Sequence, residues 1–165
     1  MLESDIENMP ISEIFSWGLT VLDKDRISKG KADILGIQLQ IEEITGMGKE
    51  IFLQDKRNPL SLKYLLVEAV EAITEVCQHI LARTKGVSCS GYIDCIVKAG
   101  ESGIITAPLS SKLRRLADLR NSLIHRYWII NDEQLYNICK ENKGDFGDFV
   151  IQIDNFMLKL PPVAP

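Results

Sequence analysis

Between Arg120 and Tyr127 the chain gathers Arg120, Asn121, His125, Arg126 and Tyr127. No other stretch of the 165 residues brings Arg, Asn, His and Tyr together so closely. His125 is one of only two histidines, the other being His79. These residue types suit chemistry at a phosphate. Imidazole is the side chain whose ordinary titration lies nearest neutral pH, so it can give or take a proton during a reaction. Arginine stays charged, and its planar fork matches two phosphate oxygens at once. An asparagine beside them can orient the histidine or the phosphate.

Spacing limits how the two principal groups can meet. Arg120 and His125 are five apart, roughly 140° around a straight helix. They converge only if the Arg arm swings round, the helix bends, or a second copy supplies one of them. A symmetric dimer with this face at its axis brings two Arg and two His together. Lys112, Arg114, Arg115 and Arg126 add positive charge to the same stretch, against Asp118 alone. Plainer roles are open too. Arg120 can be an ordinary helix cation, and His125 can simply favour the negative end of a helix. Tyr127 and Trp128 can be core aromatics, and a charge run is most often a solvated face.

The rest of the composition is that of an ordinary globular chain. Apolar residues make up 45% and charged residues 25%, enough for one domain with a true core. The net charge of −4 does not advertise nucleic-acid binding by the whole surface, so the basic stretch reads as a local anion site. Cys77, Cys89, Cys95 and Cys139 form no Cys-x-x-Cys pair, and with two distant histidines they offer no zinc cluster. They are expected to be reduced thiols in a cytoplasmic protein. The N-terminus is acidic and lacks the apolar run of a signal peptide, and no apolar run is long enough for a membrane span.

Periodicity supplies the elements that must carry the site. Residues 1–29 form an acidic arm with a short amphipathic pattern after Pro10, from Ile11 to Leu22. A first main helix is expected from Ala32 to about Leu53, weakened late by Gly46 and Gly48. A second runs from Pro59, capped by Asn58, to about Thr84 and stops at Gly86. Glu68, Glu71 and Glu75 make an acidic stripe along it, with one Glu able to reach the basic helix. His79, near its end, is expected to be an ordinary surface or core histidine. A short third helix covers about Tyr92 to Ala99. The fourth begins near Ala107–Pro108 and carries Arg120 and His125 to about Ile130. Asn131–Asp132 breaks it and caps a fifth, which Gly144 and Gly147 can divide in two. The expected architecture is all-α: an antiparallel bundle of about five helices over residues 30–160, with an N-terminal arm or short helix (1–29) and a Pro-rich tail (161–165).

The Arg-x4-His-x-Tyr pattern, with Asn after the Arg and an apolar helix before it, resembles the signature of HEPN-domain ribonucleases, above all the HepT toxin group. The resemblance runs from about Lys31 to Leu160 and includes the segment NPLSLKYLLVEAVEAITEVCQHIL. Residues 1–29 have no counterpart in it. RNA needs little apparatus to be cut, because its 2′-hydroxyl is the nucleophile. The resemblance implies a metal-independent, cofactor-free endoribonuclease that leaves a 2′,3′-cyclic phosphate, with Arg120 and His125 as its active pair and Asn121 in support. Lys112, Arg114, Arg115 and Arg126 are the expected RNA contacts. It further implies a homodimeric toxin of a type VII (HepT–MNT) toxin–antitoxin system. The partner MNT nucleotidyltransferase would inactivate it by transferring AMP to Tyr127. Two alternatives stand beside this reading. One is a non-catalytic HEPN module that binds a nucleotide or scaffolds a nucleotidyltransferase. The other is a purely structural helical dimer.

Overall fold

The structure, a computed structural model, describes residues 22–126 and 130–161. The amphipathic N-terminal pattern expected from Ile11 to Leu22 lies, apart from Leu22, outside the described residues, as do Tyr127–Ile129 and the tail from Pro162. Among the described residues every regular element is helical: α1 (Lys24–Gly46), α2 (Lys49–Gln54), α3 (Arg57–Ile80), α4 (Tyr92–Glu101), α5 (Ala107–His125), α6 (Asp132–Asn142) and α7 (Gly144–Lys159). Two of the five expected helices are thus divided. The first breaks at Met47–Gly48, where Gly48 takes φ +92° and lets α2 swing Phe52 into the core. The last divides at Lys143, beside the expected Gly144.

Helix ends follow local chemistry, and some differ from expectation. α1 starts at Lys24, eight residues before Ala32, because the Asp23 carboxylate accepts the Arg26 backbone N–H at 3.1 Å and Ile27 is buried. Asn58 does not cap α3. It lies inside the helix, and its amide donates back to the Phe52 carbonyl at 3.3 Å. Asp55 takes the capping task instead, accepting the Arg57 N–H at 2.9 Å, and its contacts with Arg57 pull its pKa down to about 2. α3 runs on through a π-turn, Leu81–Lys85, to Gly86 at φ +63°, the expected stop. Asn131 caps α6 as expected, in a reciprocal capping box with Gln134.

The core is one continuous cluster contributed by all seven helices. α1 lies along α3, with Ile34, Ile41, Leu62 and Ile73 fully buried between their stripes. Tyr136 of α6 packs against Phe52 with ring centroids 5.0 Å apart, and its hydroxyl donates to the Thr45 carbonyl at 2.7 Å. α4 and α5 approach closely at Gly100, where an added Cβ would lie 2.6 Å from Ser110 Oγ. Ser110 Oγ in turn donates to the Ile96 carbonyl at 3.0 Å. This close pair, resting on α3, places the start of α4 beside the second half of α5. No helix is long and apolar enough to cross a membrane among the described residues.

The cysteines part from expectation. Cys77 and Cys139 are buried free thiols, whose burial pushes both up to about 12. Cys89 and Cys95 are joined in a disulfide, against the expectation of four reduced thiols. The Ser90–Gly91 turn brings their Cα atoms within 5.0 Å, a proximity that spacing alone does not announce.

His79 is a core histidine, one of the two forms expected of it. It is buried near the end of α3, and its Nε2 accepts the Asp23 backbone N–H at 3.0 Å, tying the start of α1 to α3. Burial first, then the nearby Arg26 and Arg83 charges, hold its pKa below the ordinary 6.5, with Asp23 opposing. The unfolded chain therefore takes the proton before the folded one does. This contribution to stability is complete above about pH 6.5 and is lost as pH falls through the lowered value. Wild type should lose more thermal stability than His79→Gln between pH 7.5 and 5, since glutamine keeps an acceptor that does not titrate. Parallel melting curves across that range would contradict this account.

Candidate active site

α5 positions the expected pair. Pro108 near its start and Leu109, Leu113 and Ala117 on its buried face fix the helix against the bundle. It ends at His125, five residues short of the expected Ile130. Arg126 turns into the left-handed region at φ +56°, and its N–H closes on the Ser122 carbonyl at 2.8 Å. Non-glycine residues take this conformation at a cost of about 1–2 kcal/mol. Beyond it, Ile130 is buried and Asn131 caps α6. Arg126 is thus off the helix axis and exposed, and Tyr127 lies outside the described residues.

Arg120 is an inward-held cation. Its side chain is only 12% exposed, and groups from three helices engage its guanidinium. Glu71 Oε1 of α3 lies 3.7 Å from Nη2, so one residue of the acidic stripe does reach the basic helix. The Tyr92 ring of α4 lies under the guanidinium, 4.2 Å from Cζ to the ring centre, and Nη2 donates to the Tyr92 hydroxyl at 3.3 Å. Nη1 donates to Asn121 Oδ1 at 3.2 Å. Nε is buried with no hydrogen-bond partner among the described residues. The sequence offers Asn121 as an orienter of the histidine or the phosphate; its amide oxygen here orients Arg120. His125 is exposed on the last turn of α5.

The remaining expected cations divide between two faces. Lys112 and Arg115, three apart, line a cavity of about 350 Å³ between α5, α6 and α7, where Lys112 faces Asp145 at 3.7 Å. Desolvation raises the Asp145 pKa, and Lys112 counteracts it. Arg114 and Asn121, seven apart, line a different and shallower cleft with Tyr92, Ile93 and Val97. The cleft beside Tyr92 therefore receives one of the four expected RNA cations. Tyr92 itself is missed by sequence reasoning, which marks it only as a helix start. A Tyr opening an amphipathic helix after Ser90–Gly91 carries too little signal to single it out.

An all-helical bundle whose fifth helix ends in the Arg-x4-His pattern has a HEPN-type fold. The chain matches the family model described as ribonuclease HepT-like over residues 34–153, most of its length, and it belongs to that family. It is 27% identical to the mRNA nuclease HepT of Shewanella oneidensis over 112 residues, covering 67% of this chain and 83% of that one. It is 21% identical to the tRNA nuclease HepT of Aphanizomenon flos-aquae over 135 residues, 81% and 92% of the two chains. Among solved structures it is similar to the tri-AMPylated S. oneidensis HEPN toxin in complex with MNT antitoxin, with TM-score 0.73, 25% identity and coverage of 79% and 98%. A cytosolic Bacillus subtilis protein of unknown function, YutE, shares the fold at TM-score 0.68 and 19% identity, with coverage of 87% and 96%.

Proposed function

We propose that this chain is the toxin of a type VII HepT–MNT toxin–antitoxin pair, a metal-independent endoribonuclease acting in the cytoplasm through Arg120 and His125. The observation that carries this reading is the Arg120 guanidinium, held by Tyr92 and Asn121, which themselves line an open cleft, five residues before an exposed histidine. The family match spans the whole motif. Solved relatives that are toxin–antitoxin complexes, one of them with an MNT antitoxin, support an MNT-type nucleotidyltransferase as partner.

In the proposed reaction the 2′-oxygen attacks the adjacent phosphorus and the bond to the 5′-oxygen breaks. One imidazole takes the 2′-hydroxyl proton, and another protonates the leaving 5′-oxygen. The Arg120 fork stabilises the charge that builds on the phosphoryl oxygens. Two imidazoles require two copies, because each chain carries one histidine in the motif. The proposed homodimer meets along the end of α5. There Ile124, 47% exposed, gives an apolar contact beside His125. Arg114 and Arg126 are the cations best placed to follow the RNA backbone. Lys112 and Arg115, set into the other cavity, serve further along the strand.

Tyr127 comes directly after Arg126. Transfer of AMP from ATP to its hydroxyl, with release of pyrophosphate, would add a phosphate anion seven residues along the chain from Arg120. That anion would repel RNA phosphate and compete for the same cation. The AMPylated state of the S. oneidensis relative supports this control point.

His125→Ala and Arg120→Ala should each lower RNA cleavage by about 10²–10⁴. Both should keep the helical circular dichroism; the exposed His125→Ala should melt close to wild type, and Arg120→Ala, which removes a covered cation, should melt lower. Cleavage by folded His125→Ala at the wild-type rate would refute the assignment. Tyr127→Phe should cleave RNA like wild type yet gain no adenylate mass when incubated with the nucleotidyltransferase and ATP. Equal mass gain by both proteins would remove Tyr127 from the scheme.

A further inference from the structure

We infer that Tyr92 is the positioning residue of Arg120: its ring face holds the guanidinium in the orientation in which it meets the scissile phosphate. This rests on the reading of Arg120 as the phosphate-binding group. The contact itself is a cation over an aromatic face at 4.2 Å, with the phenol oxygen accepting from Nη2 at 3.3 Å.

Three partners hold Arg120, and they are not equivalent. Glu71 attracts it by charge, at 3.7 Å and without a hydrogen bond. A carboxylate there opposes an arriving phosphate, so it cannot be the partner that presents the cation to RNA. Asn121 fixes one nitrogen only. The Tyr92 ring is neutral, stacks on a flat face, and leaves the charge available to an anion. Its two contacts engage one of the guanidinium's five N–H groups. An arginine fixed in this way loses less freedom when it takes up a phosphate than one waving in solvent. With only 12% exposure, the cation–aromatic attraction is also little screened by water.

Tyr92 is itself placed rigidly. It is the first residue of α4, inside the segment closed by the Cys89–Cys95 bond. Asp94 accepts the Ser90 N–H at 2.8 Å and pairs with Lys98 at 2.9 Å, which pins the turn before it. Further along, the Gly100–Ser110 approach locks α4 onto α5. The ring thus stands at the border of two clefts, one with Arg114 and Asn121 and one with Glu71 and Glu75.

The test uses the full chain, with Tyr92→Phe, which keeps the face and drops the hydroxyl, and Tyr92→Leu, which drops the face. Tyr92→Met is read identically where Tyr92→Leu does not fold. In a ¹⁵N spectrum, the Arg120 Nε–Hε signal, assigned by its loss in Arg120→Lys, should keep its ring-shifted position in Tyr92→Phe. It should move to the position of solvent-exposed arginines in Tyr92→Leu. On a single-stranded RNA oligonucleotide, Tyr92→Leu should lose about 10- to 100-fold in kcat with KM within about threefold, as expected of misplaced rather than missing contacts. Tyr92→Phe should stay within about threefold of wild type. In an Arg120→Lys background Tyr92→Leu should cost nothing more. An unmoved Arg120 signal in Tyr92→Leu overturns the inference whatever the RNA result. So does an unchanged kcat, or an equal loss in both backgrounds. A wild-type protein that leaves RNA intact overturns the nuclease reading instead, and the Arg120 signal alone then decides whether Tyr92 holds the guanidinium.

Discussion

Arg120 sits where a charge is costly to keep: almost covered, among three helices, with its Nε buried and unpaired among the described residues. A desolvated cation needs counter-charge, hydrogen bonds or an aromatic face, and the bundle provides all three. Glu71 comes from α3, Tyr92 from α4 and Asn121 from α5 itself. The requirement shapes the packing around it. α4 must lie close enough to α5 for Tyr92 to reach, which Gly100 allows by having no side chain to meet Ser110. α3 must present Glu71 toward the basic helix. The pair leaves the carboxylate half-exposed and covers the cation behind Tyr92 and Asn121, which line a cleft.

The end of α5 is the second constraint. The left-handed turn at Arg126 stops the helix just after His125, so the histidine occupies a terminus rather than a mid-helix position. On an unbroken helix the five-residue spacing keeps Arg120 and His125 on different bearings. The Arg arm has not swung toward the helix end but toward α3 and α4. The proposed pairing of two copies draws on that geometry and on the exposed Ile124 next to His125.

Much of the fold is legible in the sequence because it rests on local rules. The apolar stripes mark α1, α3 and α5. Gly86 marks the end of α3, and Asn131 the start of α6. The motif on α5 can be singled out because four informative residue types fall within eight positions. What escapes is set by contacts distant in sequence. The start of α1 at Lys24 has a local cap, Asp23, but what fixes that end to the bundle is the contact of Asp23 with His79, 56 positions away. α5 stops early at Arg126, a non-glycine residue in the left-handed region that periodicity does not mark. Cys89 and Cys95 are joined by a turn whose shape no spacing rule gives. Tyr92 becomes part of the site through a contact 28 residues away, and an aromatic at a helix start is usually there for packing. Lys112 and Arg115 look like part of one basic patch, yet their spacing sends them to a different face from Arg114 and Asn121.

A site that cuts RNA with its own side chains needs no metal ion. The most direct measurement is end-group analysis of RNA incubated with the purified protein in excess EDTA. Cleaved fragments ending in 2′,3′-cyclic phosphate and 5′-hydroxyl are expected. Intact RNA, or fragments bearing 5′-phosphate, would rule out metal-independent cleavage by Arg120 and His125.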